Sequence, residues 1–182
     1  SVAQVGYISL GFGLASASGL SASFIHIANH ALIKGGLFMA VGSFVAALGS
    51  RANMHSFVGI GRRMPITAAA FMVCGLSLAG LPLTAGFISK LYLIRAILSA
   101  DAYLIAALVL LSSALSLIYL WKIVEVMWMQ PAPAKSPQLV ENPAIYLPLW
   151  IVAIGNIWFG VDASWLVSAS RAAAAALIGG GL

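Results

Sequence analysis

His26, His30 and Lys34 fall at successive i, i+4 positions inside a run from Gly19 to Gly49 that is otherwise almost wholly apolar. At 3.6 residues per turn such a row lies along one face of one helix, and at a rise of ~1.5 Å per residue it covers roughly 12 Å. A lysine at the centre of a membrane helix costs about 2.5–3.5 kcal/mol even on the lenient insertion scale, so its presence is a functional signal. Three chemistries suit the row. Imidazole titrates near neutrality, so histidines ~6 Å apart, joined by water to each other and to a lysine, can pass a proton along the helix. Histidines at i, i+4 can also share a metal, but no Glu follows His26 as in the metalloprotease pattern, and Lys34 would repel the ion. The third reading is structural: polar side chains that hold helices together. The alignment of Lys34 with both histidines favours the proton relay, and no metal or cofactor is expected.

A second constellation is Gly80-Leu-Pro82-Leu-Thr-Ala-Gly86-Phe-Ile-Ser-Lys90. Proline removes a backbone donor and glycine weakens a helix, so the spacing predicts an interruption near 80–86 with Lys90 one turn beyond it. Broken membrane helices create helix ends, and an ammonium is favoured beside a C-terminal end. The alternative is a lysine that stretches its stem to the headgroups. Ser112, Ser116 and Tyr119 form a polar stripe at i, i+4, i+7 that could line a water chain, or merely bond to backbone carbonyls.

These residues need apolar helices to position them. The chain is 62% hydrophobic and only 7% charged, with a mean hydropathy of +1.05. Soluble domains are about a quarter charged, so the composition indicates an all-α polytopic membrane protein. The apolar runs are continuous rather than alternating, which excludes a barrel. The nine Lys and Arg residues, for a net charge of +5, form no patch, and no nucleic-acid partner is expected. The single Cys74 reads as a small core residue. No nucleotide loop, nucleophile elbow or cysteine cluster is present, so no catalytic chemistry is expected of this chain, only the movement of protons or ions.

The pattern predicts helices at about 1–17, 20–48, 65–81, 84–99, 102–129 and 143–161. They make about five membrane spans, one of them interrupted and the first incomplete. Ser1, without a leader pattern, suggests the C-terminal part of a longer protein. Gly6, Gly11 and Gly13 are small enough to admit a neighbouring helix. Arg51, Arg62 and Arg63 mark a loop, with Pro65 opening the next helix, and Pro131, Pro133 and Pro137 mark another around Lys135. Lys122 and Glu125 read as an interfacial ion pair between Trp121 and Trp128, with Trp150 and Trp158 near the ends of the last span. Glu141 reads as an ordinary loop charge. Residues 166–182, with Arg171, read as a surface or lateral tail.

Four stretches resemble the proton-conducting antiporter-like subunits. They are Ser1-Val-Ala-Gln-Val-Gly-Tyr7, His26-Ile-Ala-Asn-His30-Ala-Leu-Ile-Lys34-Gly-Gly-Leu-Phe38, Gly61-Arg-Arg-Met-Pro65 and Gly80-Leu-Pro-Leu-Thr-Ala-Gly-Phe-Ile-Ser-Lys90. That family includes the large subunits of Mrp-type sodium/proton antiporters and the antiporter-like subunits of respiratory complex I and membrane hydrogenases. The resemblance spans residues 1–165. It implies the second inverted repeat of a fourteen-helix subunit plus its last helix, with the glutamate and lysine of the first repeat upstream. It also implies that His26, His30 and Lys34 lie on a central hydrophilic axis, and that Lys90 is the terminal proton carrier on an interrupted helix. The wording around Asn29 and His30, and Lys at position 90, look most like the D-type subunit of an Mrp antiporter.

The expected function is therefore proton translocation within a multisubunit sodium/proton antiporter. The alternative is a pumping subunit of NADH-quinone oxidoreductase or a membrane hydrogenase, and the rival from another class is a non-conducting structural subunit or truncated remnant. Expected partners are other membrane subunits, the lipid bilayer, protons and sodium, in a bacterial or archaeal cell membrane. The positive-inside rule puts the 50–64 loop in the cytoplasm, whereas the family topology puts it outside.

Overall fold

The computed structural model describes residues 2–49, 57–131 and 139–179. Arg51, His55, Pro133, Lys135 and Pro137 of the two predicted loops lie outside the described residues. Every regular element described is helical: α1 (Val2–Gly13), α2 (Ala17–Leu48), α3 (Ile60–Arg63), α4 (Pro65–Ala79), α5 (Ala85–Leu98), α6 (Tyr103–Val124), α7 (Pro143–Val161) and α8 (Ser164–Gly179). Ala17–Leu48, Tyr103–Met129 and Pro143–Val161 are long and apolar enough to cross a membrane, and Val2–Gly13 and Pro65–Ala79 are shorter apolar helices.

The 32-residue α2 is the axis of the bundle, packing against α1, α4, α5, α7 and α8. Ser16 starts it, accepting from the Gly19 amide at 3.1 Å, as an N-cap hydroxyl should. Helix α1 lies close against it because Gly11 has no side chain: a Cβ there would meet Ser23 Oγ and, at 2.8 Å, the Gly19 carbonyl. Ser23 Oγ donates to the Ile8 carbonyl at 2.9 Å across the same crossing. Gly6 and Gly13, expected to serve similarly, face open space.

Three apolar clusters among the described residues hold the helices, the smallest joining Ile25 of α2 to Leu166 and Val167 of α8. A second joins Phe44 of α2, Ile60 of α3, Met64 between α3 and α4, Phe71 and Cys74 of α4, and Leu149 of α7. The third joins Tyr7, Ala22, Leu93, Ile97, Ala106 and Val109 from α1, α2, α5 and α6. Helix α6 ends in a π-helical turn, Glu125–Met129. There the Val126 carbonyl accepts from Gly59 N at 3.0 Å, and the Trp128 ring covers Gly61. Among the described residues Lys122 and Glu125 do not form the expected ion pair, and both are exposed. The wider π turn, starting at Glu125, changes the i, i+3 register on which that pairing relied.

Helix α4 opens at Pro65 and is clamped by Glu141, which is more than a loop charge. Its Oε1 accepts from Ile66 N at 2.9 Å and its Oε2 from Thr67 N at 3.0 Å. A carboxylate on free amides at a helix N-terminus satisfies donors and complements the dipole. Glu141→Ala is expected to cost about 1–2 kcal/mol, seen as a lower thermal transition of the purified complex. An unchanged transition would show that the clamp contributes nothing. The 164–179 segment is a helix that buries Leu166, Val167, Ser170 and Ala174 and packs along α2.

Candidate functional site

The interruption falls between α4 and α5. Helix α4 ends at Ala79, with Gly80 at φ +89°, and Leu83 follows at φ +67°. At 15 and 14 residues, each helix is roughly 20 Å long, short of a bilayer's ~30 Å core. The break is held by polar side chains from three helices. Asn29 Nδ2 of α2 donates to the Ala85 carbonyl at 2.7 Å. Ser77 Oγ of α4 donates to Asn156 Oδ1 of α7 at 3.0 Å and accepts from Gly86 N at 3.2 Å. Asn29, Ser77 and Asn156 are all buried, and each bond meets a polar group that the break would otherwise strand in an apolar interior.

Lys90, 5% exposed, closes the other side. Its Nζ donates to the Leu78 and Ala79 carbonyls at 3.0 and 2.8 Å. These belong to the last turn of α4, the negative end of its dipole. Gly80 leaves room for the stem: a Cβ there would lie 2.9 Å from Lys90 Cδ. Helix α4 thus ends on a carboxylate at one terminus and an ammonium at the other.

The α2 row reaches this lysine through its first member. His26 is buried, and its Nδ1 lies 2.8 Å from Ser89 Oγ, the residue before Lys90. The Tyr7 ring stands edge-on to His26 at 5.6 Å, while Lys90 Nζ lies 5.5 Å from the centroid of the same ring. The His26 and His30 rings are stacked, 6.0 Å apart and within 1° of parallel. Lys34, half-buried, continues the row with Nζ 4.5 Å from the Phe38 ring centroid. The spatial order is therefore Lys34, His30, His26, Lys90. Tyr7 Oη, His26 Nε2 and His30 Nδ1 are buried without a hydrogen-bond partner among the described residues.

Ser112, Ser116 and Tyr119 stand apart from that row. They line a cleft of about 540 Å3 together with Gln4, Leu78 and Ala79, so the cleft reaches the residues whose carbonyls hold Lys90. Ser116 Oγ donates to the Ser112 carbonyl within α6 at 2.9 Å, and Tyr119 is exposed. Pro82, exposed, and Gly86, buried, flank the turn as expected of a break. The sequence alone assigned no role to Ser89, Asn156 or Ser77, and Tyr7 entered only as part of a stretch resembling the family. The one signal available was that Asn29 and Ser89 each adjoin a charged or titratable residue in an apolar run.

A discontinuous helix pair beside a long apolar helix carrying a His/His/Lys row is the architecture of a polytopic, antiporter-like membrane subunit. Residues 1–116 match the family described as NADH:quinone oxidoreductase/Mrp antiporter, TM, and the chain belongs to that family. It is 35% identical to NADH-quinone oxidoreductase subunit N of Desulforudis audaxviator over 181 residues, covering 92% of this chain and 36% of that protein. Similarity to the D-type subunit of the Na(+)/H(+) antiporter of Bacillus subtilis is lower, 26% identity over 166 residues, covering 91% of this chain and 34% of that one. Among solved structures, the Mrp complex from Dietzia sp. DQ12-45-1b superposes with a TM-score of 0.84 at 26% identity, over 97% of this chain and 41% of the matched one. The chain spans about a third of the length of the curated relatives it matches. It is an integral membrane, antiporter-like subunit of the type found in Mrp and complex I-type assemblies, whose relatives work as subunits of multisubunit membrane complexes.

Proposed function

We propose that residues 1–165 form the C-terminal part of a proton-conducting domain, with 166–182 appended, and that protons pass along Lys34, His30, His26 and Lys90. The observation that carries this reading is the junction at His26. The Tyr7 ring lies between it and Lys90, and Ser89 Oγ ties it to the α5 turn that carries Lys90, so polar groups on two helices meet instead of ending separately. The partnerless Tyr7 Oη, His26 Nε2 and His30 Nδ1 support it as well, because buried polar atoms of this kind are what ordered water satisfies. Ser112, Ser116 and Tyr119 would line the wet side of the Lys90 carbonyls.

The higher identity to the quinone oxidoreductase relative favours a redox-driven pump in a bacterial or archaeal cell membrane, over the sodium/proton exchange to which the motif wording pointed. The 0.84 TM-score with the Mrp complex keeps the antiporter as the second reading. Everted vesicles carrying the assembled parent complex separate them. NADH should acidify the lumen in wild type, and Lys34→Met at equal assembled amount should lower the rate by about 100-fold. Collapse of an imposed pH gradient on adding sodium, without a response to NADH, would assign the antiporter. Equal flux in the variant would remove Lys34 from the path, and loss of assembly would make the row interhelical glue.

A further inference from the structure

A second polar site lies away from the relay, where the start of α2, the end of α5 and the outer half of α8 come together. A cavity of about 400 Å3 is lined by Ser18, Ser21, Tyr92, Arg95, Ser99 and Arg171, with alanines 17, 96 and 175 between them. Arg95 and Arg171 come from different helices, yet each guanidinium carbon stands 6.0 Å from the centroid of the same Tyr92 ring. Among the described residues neither arginine meets a carboxylate. The chain has only four acidic residues, and three are engaged elsewhere: Asp101 by Tyr103 Oη, Glu141 by α4 and Asp162 by Ser164. Glu125 lies in the π-helical turn after α6. The last turn of α5 favours a cation, which accounts for Arg95 alone; Arg171 is mid-helix and has no such reason. Ser21 adds an independent mark. It is 4% exposed, lines the cavity, and its Oγ is buried without a hydrogen-bond partner among the described residues.

We propose that this cavity binds the phosphodiester headgroup of an anionic lipid. Two guanidiniums supply forked donors matched to phosphate oxygens, the hydroxyls of Ser18 and Ser21 can donate to the same group, and the first turn of α2 turns its positive end toward it. A lipid, and not free phosphate, is the occupant because the site continues into apolar surface. Arg171, Ala175 and Ile178 fall at i, i+4, i+7 on α8. Ile178 and Leu98, at the ends of α8 and α5, are 49% and 41% exposed, which gives an acyl chain a path from the rim. Basic pockets between membrane helices bind anionic headgroups by this chemistry.

The test uses the purified, delipidated parent complex, titrated with phosphatidylglycerol and read by native mass spectrometry as lipids bound per complex. Wild type should bind one more tightly held phosphatidylglycerol than the Arg95→Gln/Arg171→Gln variant, whose affinity at that site should fall by about 10–100-fold. Arg95→Lys/Arg171→Lys should keep most of the binding, and millimolar inorganic phosphate should not displace the lipid. If the double glutamine variant fails to assemble, Arg171→Gln alone should still lower the affinity, since that side chain is exposed. Unchanged lipid count and affinity in the glutamine variants would overturn the site. Displacement by inorganic phosphate would overturn its assignment to lipid.

Discussion

Lys90→Met is expected to lower proton flux through the assembled complex by about 100-fold or more. The reason is geometric as much as electrostatic. Lys90 Nζ is the only side-chain group bonded to the Leu78 and Ala79 carbonyls among the described residues, and it also approaches the Tyr7 ring that contacts His26. Methionine fills similar volume without the ammonium, so the proposed proton carrier is removed and two carbonyls lose their donor. That second loss costs about 1–3 kcal/mol and would lower thermal stability even if Lys90 were only a helix cap. Lys90→Arg separates the two roles. Arginine can keep the carbonyl bonds and the positive charge, but it does not give up its proton at any working pH. A carrier role predicts that Lys90→Arg assembles and does not conduct. Conduction at the wild-type rate in Lys90→Arg would make Lys90 a structural cap and move the terminal carrier elsewhere.

Gly86→Ala is expected to disrupt the break between α4 and α5 with a single methyl group. A Cβ at Gly86 would fall onto the Ser77 carbonyl oxygen and 2.8 Å from its carbonyl carbon, both backbone atoms at the end of α4. Neither can rotate away, so α5 must shift as a body. Such a shift stretches the Gly86 N to Ser77 Oγ bond and the Asn29 bond to the Ala85 carbonyl. Overpacking of this kind costs about 1–3 kcal/mol. Because Ser89 and Lys90 ride on α5, flux should fall together with the thermal transition of the complex. A variant with wild-type flux and stability would show that the two helix ends are not in contact. Gly6→Ala, at a glycine with open space around it, is the matched control and should change neither.

The sequence by itself determined the helices and the register of their polar residues. Periodicity put His26, His30 and Lys34 on one face of α2, since that depends only on the pitch of a single helix. Pro82 and Gly86 located the interruption because the missing donor and the missing side chain act within a few residues. Pro65 marked a helix start for the same local reason. The apolar composition fixed the membrane class.

What the tertiary structure decided was which groups meet. The His26 bond to Ser89 joins residues 63 apart in sequence, and the Glu141 clamp on Ile66 spans 75. No periodicity encodes such a separation. The direction of the row, with His26 rather than Lys34 facing Lys90, depends on where α5 crosses α2. That crossing is set by packing around Gly86 and Asn29, not by the row itself. Glu141 and Arg171 looked like ordinary charges because sequence shows a residue's type but not its partner. Only the docking of α4 on the segment before α7 gave Glu141 its amides, and only the docking of α8 on α2 brought Arg171 to the Tyr92 ring.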